Sequence, residues 1–240
     1  MKRSPLPGVD LTVYINALPL LVRNPSIVVV PLLTLVIGVL MRIVLAPGSG
    51  ALAQATAGLG AFILFMLALF GLGAASVVAD GAWRHGRASF DAAWTETRRR
   101  SGEILTAAVG VALLITVGQY VATFAGVLGL LLTAVIAMFL IWALPAAAVG
   151  GIPGGAAIQV SIDRVRGNPL GAAIATIVTL ALVFYAAPAL ALLVVGLVPA
   201  AWGSIVVEML LIALFQSVAV GYAGLILTKT YTDAAFGRRW

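Results

Sequence analysis

The chain contains no cysteine among its 240 residues, and it has a single histidine, His85. The absence of cysteine excludes disulfide bonds, thiolate metal sites and thiol nucleophiles. His85 lies between Arg84 and Gly86, with no second histidine to share a metal ion, and a solvated histidine is the commoner role in such a basic loop. The sequence therefore predicts no metal site and no cofactor.

Charged residues are also scarce. Lys and Arg number 14 and Asp and Glu number 8, which is 9% of the chain, whereas soluble domains carry roughly 25%. Hydrophobic residues make up 62%. So few charges cannot cover a soluble globule of this size, which excludes a cytosolic enzyme and a nucleic-acid-binding protein. We predict an all-α integral membrane protein that forms one domain over residues 1–240.

Six apolar runs are long enough to cross a bilayer, which takes about 20 residues in a helix. The predicted spans are residues 26–46, 57–79, 104–124, 126–149, 170–187 and 204–228. Residues 188–202 are also apolar, but Pro188, Gly196 and Pro199 interrupt them. We interpret this stretch as a hydrophobic connection or a half-inserted segment.

The basic residues sort to one side of these six spans. Of the 14 cations, Arg42 alone falls outside the segments before the first span, after the second, after the fourth and after the sixth. Such a Lys/Arg bias marks the cytoplasmic side. We therefore predict a multi-pass membrane protein with both termini in the cytoplasm.

A threefold internal repeat is predicted, with units at about residues 10–80, 87–150 and 155–230. Each unit would hold an interfacial helix, a turn and a helical hairpin, and the segments 14–25, 91–102 and 158–169 align. Asn-Pro recurs at the same place in the first and third segments. The alternative is that the positive loops of any six-span protein look alike.

The three short segments have apolar residues at helical spacing and end in basic residues or turn signals. Ser89 is a plausible N-cap of the second. We expect each segment to lie in the cytoplasmic interface, with cations toward the headgroups. Their apolar faces are Leu11, Ile15, Leu18 and Val22; then Phe90, Ala93, Trp94 and Thr97; then Ile158, Ile162 and Val165.

Two stretches carry a resemblance to a known family. Residues 75–94, ASVVADGAWRHGRASFDAAW, precede an arginine triplet, and residues 157–169 read AIQVSIDRVRGNP. Together they resemble a broad prokaryotic family of six-span proteins that includes the membrane domain joined to some glycerophosphodiester phosphodiesterases, and related families of unknown function. The resemblance implies a fold. It implies no catalytic residue, because the soluble phosphodiesterase domain has no counterpart in the chain.

Polar residues within the spans form the first candidate site. Counting along the helices places Arg42, Gln119, Tyr185 and Glu208 in one layer near the outer face. An ionisable residue within a membrane is a functional-site hypothesis by default. If the first and last spans are neighbours, Arg42 and Glu208 would form an ion pair. A structural pair or simple snorkelling of the long side chains stays open as the alternative.

A basic cluster is the second candidate site, and it would bind anionic lipid. Its members are Arg84, Arg87, Arg98, Arg99 and Arg100. Each cation close to an anionic membrane surface contributes about 1 kcal/mol. The alternative is that these arginines only set the topology.

No nucleotide-binding, zinc-protease or nucleophile-elbow motif is found, so we predict no enzyme and no catalytic residue. Close helix packing is predicted instead, along Gly171, Ala175 and Thr179 and along Ala213, Ser217 and Gly221. We expect a non-enzymatic protein of a prokaryotic inner membrane that acts as a partner subunit or membrane scaffold. Its expected partners are membrane lipids, anionic ones among them, and a second membrane protein or another copy of itself. The alternative is a transporter or binder of lipid or another small amphiphile.

Overall fold

The computed structural model describes residues 9–44, 51–197 and 205–235, except for the side chains of residues 51–56 and 235. No strand occurs in these ranges. The helices are α1 (Thr12–Arg23), α2 (Ser26–Val44), α3 (Ala51–His85), α4 (Phe90–Arg99), α5 (Ser101–Ala125), α6 (Val127–Leu140), α7 (Ala143–Gly150), α8 (Gly154–Gly167), α9 (Pro169–Leu180), a π-helical turn (Ala181–Ala186), α10 (Ala187–Val195) and α11 (Ile205–Ala235).

Six helical segments within the described residues are long and apolar enough to cross a membrane, as the sequence predicts. They are α2, the part of α3 from Ala57, α5, α6 with α7, α9 through α10, and α11 up to residue 234. The fifth is longer than predicted. Its helix passes through Pro188 and ends at Val195. The interpretation of residues 188–202 as a hydrophobic connection or a half-inserted segment is therefore wrong for residues 188–195, which continue the fifth span. Residues 198–204 lie outside the described ranges.

The fourth span is broken at residues 141–142. Pro145 has no N–H for the carbonyl of Ile141 and disturbs the helix at that point. The hydroxyl of Ser161 in α8 accepts a hydrogen bond from the Trp142 N–H at 3.1 Å and donates one to the carbonyl of Phe139 at 2.8 Å. A side chain thus inserts into the helical hydrogen-bond ladder, which is a recognised cause of a kink.

The centre of the bundle is formed by α3, α7 and α11, which belong to the second helices of the three hairpins. α3 packs against both α11 and α7, and α7 also contacts α11. Each first helix packs against its own hairpin partner and against the second helix of another hairpin: α2 against α3 and α11, α5 against α6 and α3, and α9 against α11 and α6. The first and last spans are therefore neighbours, as predicted.

Glycines allow the central helices to approach closely. A Cβ on Gly224 of α11 would lie 2.9 Å from the Cβ of Ala75 in α3, and one on Gly71 would lie 3.2 Å from the Cα of Pro31 in α2. All six residues of the two predicted small-residue lines are buried. Gly221 packs against Val28 of α2, whereas the nearest atoms to Gly171 belong to its own cap residue. Close packing is thus confirmed for the α11 line.

Short helices are present at the three predicted interfacial places, as α1, α4 and α8. Ser89 occupies the N-cap position of α4, but its hydroxyl makes no capping hydrogen bond. The apolar face of α1 is exposed: Ile15 is 69% and Val22 is 81% accessible. In a membrane this face would meet acyl chains. The end of the bundle that carries α1, α4 and α8 is called the basic end below.

Candidate functional site

The predicted polar layer does not converge on one site. Gln119 and Arg42 are exposed on the bundle surface, Tyr185 is 75% accessible, and Glu208 is half-buried. Within the described part of the chain no salt bridge joins Arg42 to Glu208. Counting residues gives the depth of a side chain but not the direction in which it points.

Arg42 and Glu208 have a simpler structural explanation. Arg42 lies in the last turn of α2, and Glu208 lies in the first turn of α11. A cation at a helix C-terminus and a carboxylate at an N-terminus each interact favourably with the helix dipole. Both charges stand close to the ends of their helices, where long side chains reach the interface.

Gln119 has no such explanation. It lies in α5, six residues before the helix ends at Ala125. Thr116 and Thr123 are also exposed and, at separations of three and four residues from Gln119, share its face. The Thr123 hydroxyl donates to the carbonyl of Tyr120 at 2.6 Å. The amide of Gln119 makes no hydrogen bond within the described residues, so α5 presents an unsatisfied amide, flanked by two threonines, to the membrane.

Four of the buried hydroxyls inside the spans are satisfied within their own helices, whereas the Thr179 hydroxyl of α9 has no hydrogen-bond partner within the described residues. Thr34, Ser76, Thr176 and Ser217 each donate to a carbonyl three or four residues earlier in their own helix. Such bonds satisfy the hydroxyl locally in a membrane helix. The described residues also contain no group of three or more His, Cys, Asp or Glu side chains that could hold a metal ion.

At the basic end, Asn24 fastens the first hairpin to the loop after it. Its side-chain amide donates to the carbonyl of Leu20 at 2.8 Å and to that of Gly86 at 3.3 Å, and its Oδ1 accepts from the N–H of Ala88 at 2.7 Å. Asn24 is 2% accessible. We call this set of bonds the Asn24 clip. In the sequence, Asn24 stands out only as part of a repeated Asn-Pro pair.

Arg100 has a structural role. Its guanidinium donates to the carbonyls of Ala148 and Val149, at 2.9 and 2.5 Å, and it also contacts the carboxylate of Glu96. These carbonyls belong to the last turn of α7, whose orphan acceptors need such partners. Hydrogen bonding from Arg99, reinforced by Arg100, lowers the pKa of Glu96 to about 2. The carboxylate therefore stays ionised at neutral pH.

Arg164 of α8 makes a similar structural contact. The guanidinium lies 3.6 Å from the centre of the Tyr231 ring and donates to the carbonyl of Tyr231 at 3.1 Å. This contact joins α8 to α11. The indole N–H of Trp142, which is fully buried, donates to the hydroxyl of Thr230 at 3.0 Å. Hydrogen bonds and a cation–π contact thus connect the helices at the basic end of the bundle.

These contacts divide the predicted lipid-binding cluster into arginines that bind other groups in the described part of the chain and arginines that do not. Arg84 pairs with Asp80 at 3.0 Å and Arg99 with Glu96 at 2.6 Å, although both remain more than half exposed. Arg100 is committed to α7. Arg87 and Arg98 are exposed and make no ion pair within the described residues.

Two aromatic side chains stand beside these arginines. Phe90 and Trp94 stack with their ring centres 6.2 Å apart, and they are 40% and 46% accessible. Exposed aromatic rings next to cations are typical of a helix that lies in a membrane interface.

The resemblance to the six-span prokaryotic family stays a prediction. No family model, no curated protein and no solved structure matches this chain.

Proposed function

We propose that this chain is a non-enzymatic protein of a prokaryotic inner membrane that acts as a partner subunit or scaffold. The observation that carries the proposal is the outward-facing amide of Gln119. If the 25 residues of α5 are centred in the bilayer, Gln119 lies about 9 Å from the midplane. That is within the hydrocarbon half-thickness of about 15 Å.

An unsatisfied amide in hydrocarbon is costly, and a hydrogen bond to another helix removes that cost. Hydrocarbon tails are as apolar as leucine, so apolar exposure alone does not favour a protein neighbour over lipid. The exposed Gln119 amide does favour a protein neighbour, because a polar group of a partner helix can satisfy it. Four of the buried hydroxyls inside the spans are satisfied within their own helices, which favours this role over ion transport.

The partner role predicts a discrete crosslink at the polar stripe. A photoreactive amino acid at Thr116 should give, in intact cells, an adduct of defined mass, and adding Gln119→Leu should reduce its yield severalfold. The control is the same probe at Leu40, which is 56% accessible on α2 and has apolar surroundings. An adduct at twice 24.6 kDa would identify a second copy of the chain.

Three results would contradict the partner role. The first is that the Thr116 probe gives only lipid adducts. The second is that its protein adducts are as diverse as those at Leu40. The third is that Gln119→Leu leaves the crosslink yield unchanged, since the Gln119 amide would then make no contribution to binding a partner.

The proposed orientation puts both termini in the cytoplasm. Because the chain has no cysteine, a cysteine introduced at Ser49 or Ser101 would be the sole thiol. An impermeant thiol reagent added to intact cells should label Ser49→Cys and spare Ser101→Cys. The reverse pattern would overturn the orientation. Ser49 lies outside the described residues.

We also propose that the three hairpin units are an internal repeat. The support is that α2, α5 and α9 each pack against the second helix of the preceding hairpin in cyclic order.

Binding of a small amphiphile is the second candidate function. The observation that favours it is the π-helical turn in the fifth span, from which Phe184 and Tyr185 project with more than half of their surface accessible. π-Turns occur frequently at functional sites.

A further inference from the structure

The Asn24 clip brings together two arginines that are far apart in the sequence. Arg23 directly precedes Asn24, and Arg87 lies between Gly86 and Ala88, the two residues whose backbone groups bind the Asn24 side chain. Neighbouring Cα atoms are 3.8 Å apart. The long side chains of Arg23 and Arg87 therefore leave the protein from one corner of the basic end.

Neither of these arginines has a partner among the residues that the structure describes. Both side chains are exposed and form no hydrogen bond or ion pair within the described residues. Of the acidic residues near Arg87 in the sequence, Asp80 pairs with Arg84 and Glu96 pairs with Arg99 and Arg100. Asp91, in the first turn of α4, forms no ion pair with either arginine. The corner thus holds two positive charges that no described carboxylate pairs with.

We propose that Arg23 and Arg87 together bind the phosphate of one anionic phospholipid in the leaflet at the basic end. A guanidinium presents a planar fork of donors that matches phosphate oxygens, and two such forks can share one phosphate. Val22, 81% accessible and adjacent to Arg23, offers apolar surface to the acyl chains. That surface selects a lipid over free phosphate. Asn24 is a positioning residue that holds the two arginines together.

This site goes beyond the partner-subunit role and does not depend on it. It also differs from the lipid cluster expected from the sequence, which omitted Arg23 and included Arg100. Arg98 provides a matched control, because it is exposed and unpaired at the same end of the molecule but lies outside the Asn24 clip.

Short-chain phosphatidylglycerol is titrated calorimetrically into the full-length protein in an uncharged detergent. Arg23→Gln and Arg87→Gln should each weaken binding about fivefold, the loss of one cation at an anionic group. Because both contact one phosphate, the double variant should lose less than the product of the two single effects. Arg98→Gln should change the affinity less than twofold, well below the single-charge effect.

Each of three results would overturn the proposal. If the Arg23 and Arg87 effects multiply, the two residues do not share a phosphate. If Arg98→Gln is as damaging, the attraction is a diffuse charge effect. If millimolar inorganic phosphate displaces the lipid, the occupant is free phosphate. Asn24→Ala, which retains both charges, should also weaken binding and should make the two arginine effects multiply; the arginine variants alone decide the matter if Asn24→Ala does not fold.

Discussion

Replacing Gly224 with leucine is expected to destabilise the bundle by about 3 kcal/mol, the upper part of the range for overpacking a well-filled interior. Gly224 lies where the two central helices, α3 and α11, cross. A Cβ there would lie 2.9 Å from the Cβ of Ala75 and 3.3 Å from its carbonyl carbon. The rest of a leucine side chain would have to push the helices apart. Unfolding in mixed micelles, with the detergent ratio as denaturant, measures the loss.

A size swap separates this clash from other effects of the substitution. Gly224→Ala alone should be destabilising, and adding Ala75→Gly should recover most of the loss, because it removes the atom that the new Cβ meets. Gly155 in α8 is the control, since no atom lies within 4 Å of its virtual Cβ. There Gly→Ala should be neutral or stabilising by up to about 1 kcal/mol. If the added Ala75→Gly does not restore stability, the loss caused by Gly224→Ala does not come from a clash between α3 and α11.

The number and the approximate positions of the spans could be predicted from the sequence, because a helix must contain about 20 apolar residues to cross a bilayer. The error at Pro188 has a physical cause. In soluble proteins proline commonly ends a helix, because it has no N–H to donate to an earlier carbonyl and its ring clashes with the preceding turn. In a membrane, a neighbouring helix can donate to that carbonyl instead, and the helix continues. The sequence does not show which neighbour does so.

The candidate site was less predictable, for two reasons. Counting residues placed Gln119 and Tyr185 at a depth, but the direction of a side chain depends on how the helix is rotated against its neighbours. The Asn24 clip joins residues more than 60 positions apart. The repeated Asn-Pro pair was its only signal in the sequence.

The π-helical turn in the fifth span shows how Pro188 is accommodated. The N–H of Ala187 donates to the carbonyl of Leu182, five residues earlier, which is the π pattern. In that pattern the next acceptor is Val183 and its donor would be residue 188, but proline has no N–H. Gln216 of α11 takes its place, because its side-chain amide donates to the Val183 carbonyl at 3.3 Å.

Gln216→Leu should therefore destabilise the protein by about 1 to 2 kcal/mol, the upper range for a hydrogen bond between membrane helices. The effect depends on Pro188. In a Pro188→Ala background the backbone N–H returns and can bond within the fifth span, so Gln216→Leu should cost little. The four proteins of this cycle are compared by unfolding in mixed micelles. A coupling of about 1 kcal/mol between the two positions would mean that Gln216 replaces the missing donor. Equal losses in both backgrounds would instead assign Gln216 to ordinary packing, and the helix would then have to tolerate Pro188 with an unsatisfied carbonyl in the membrane.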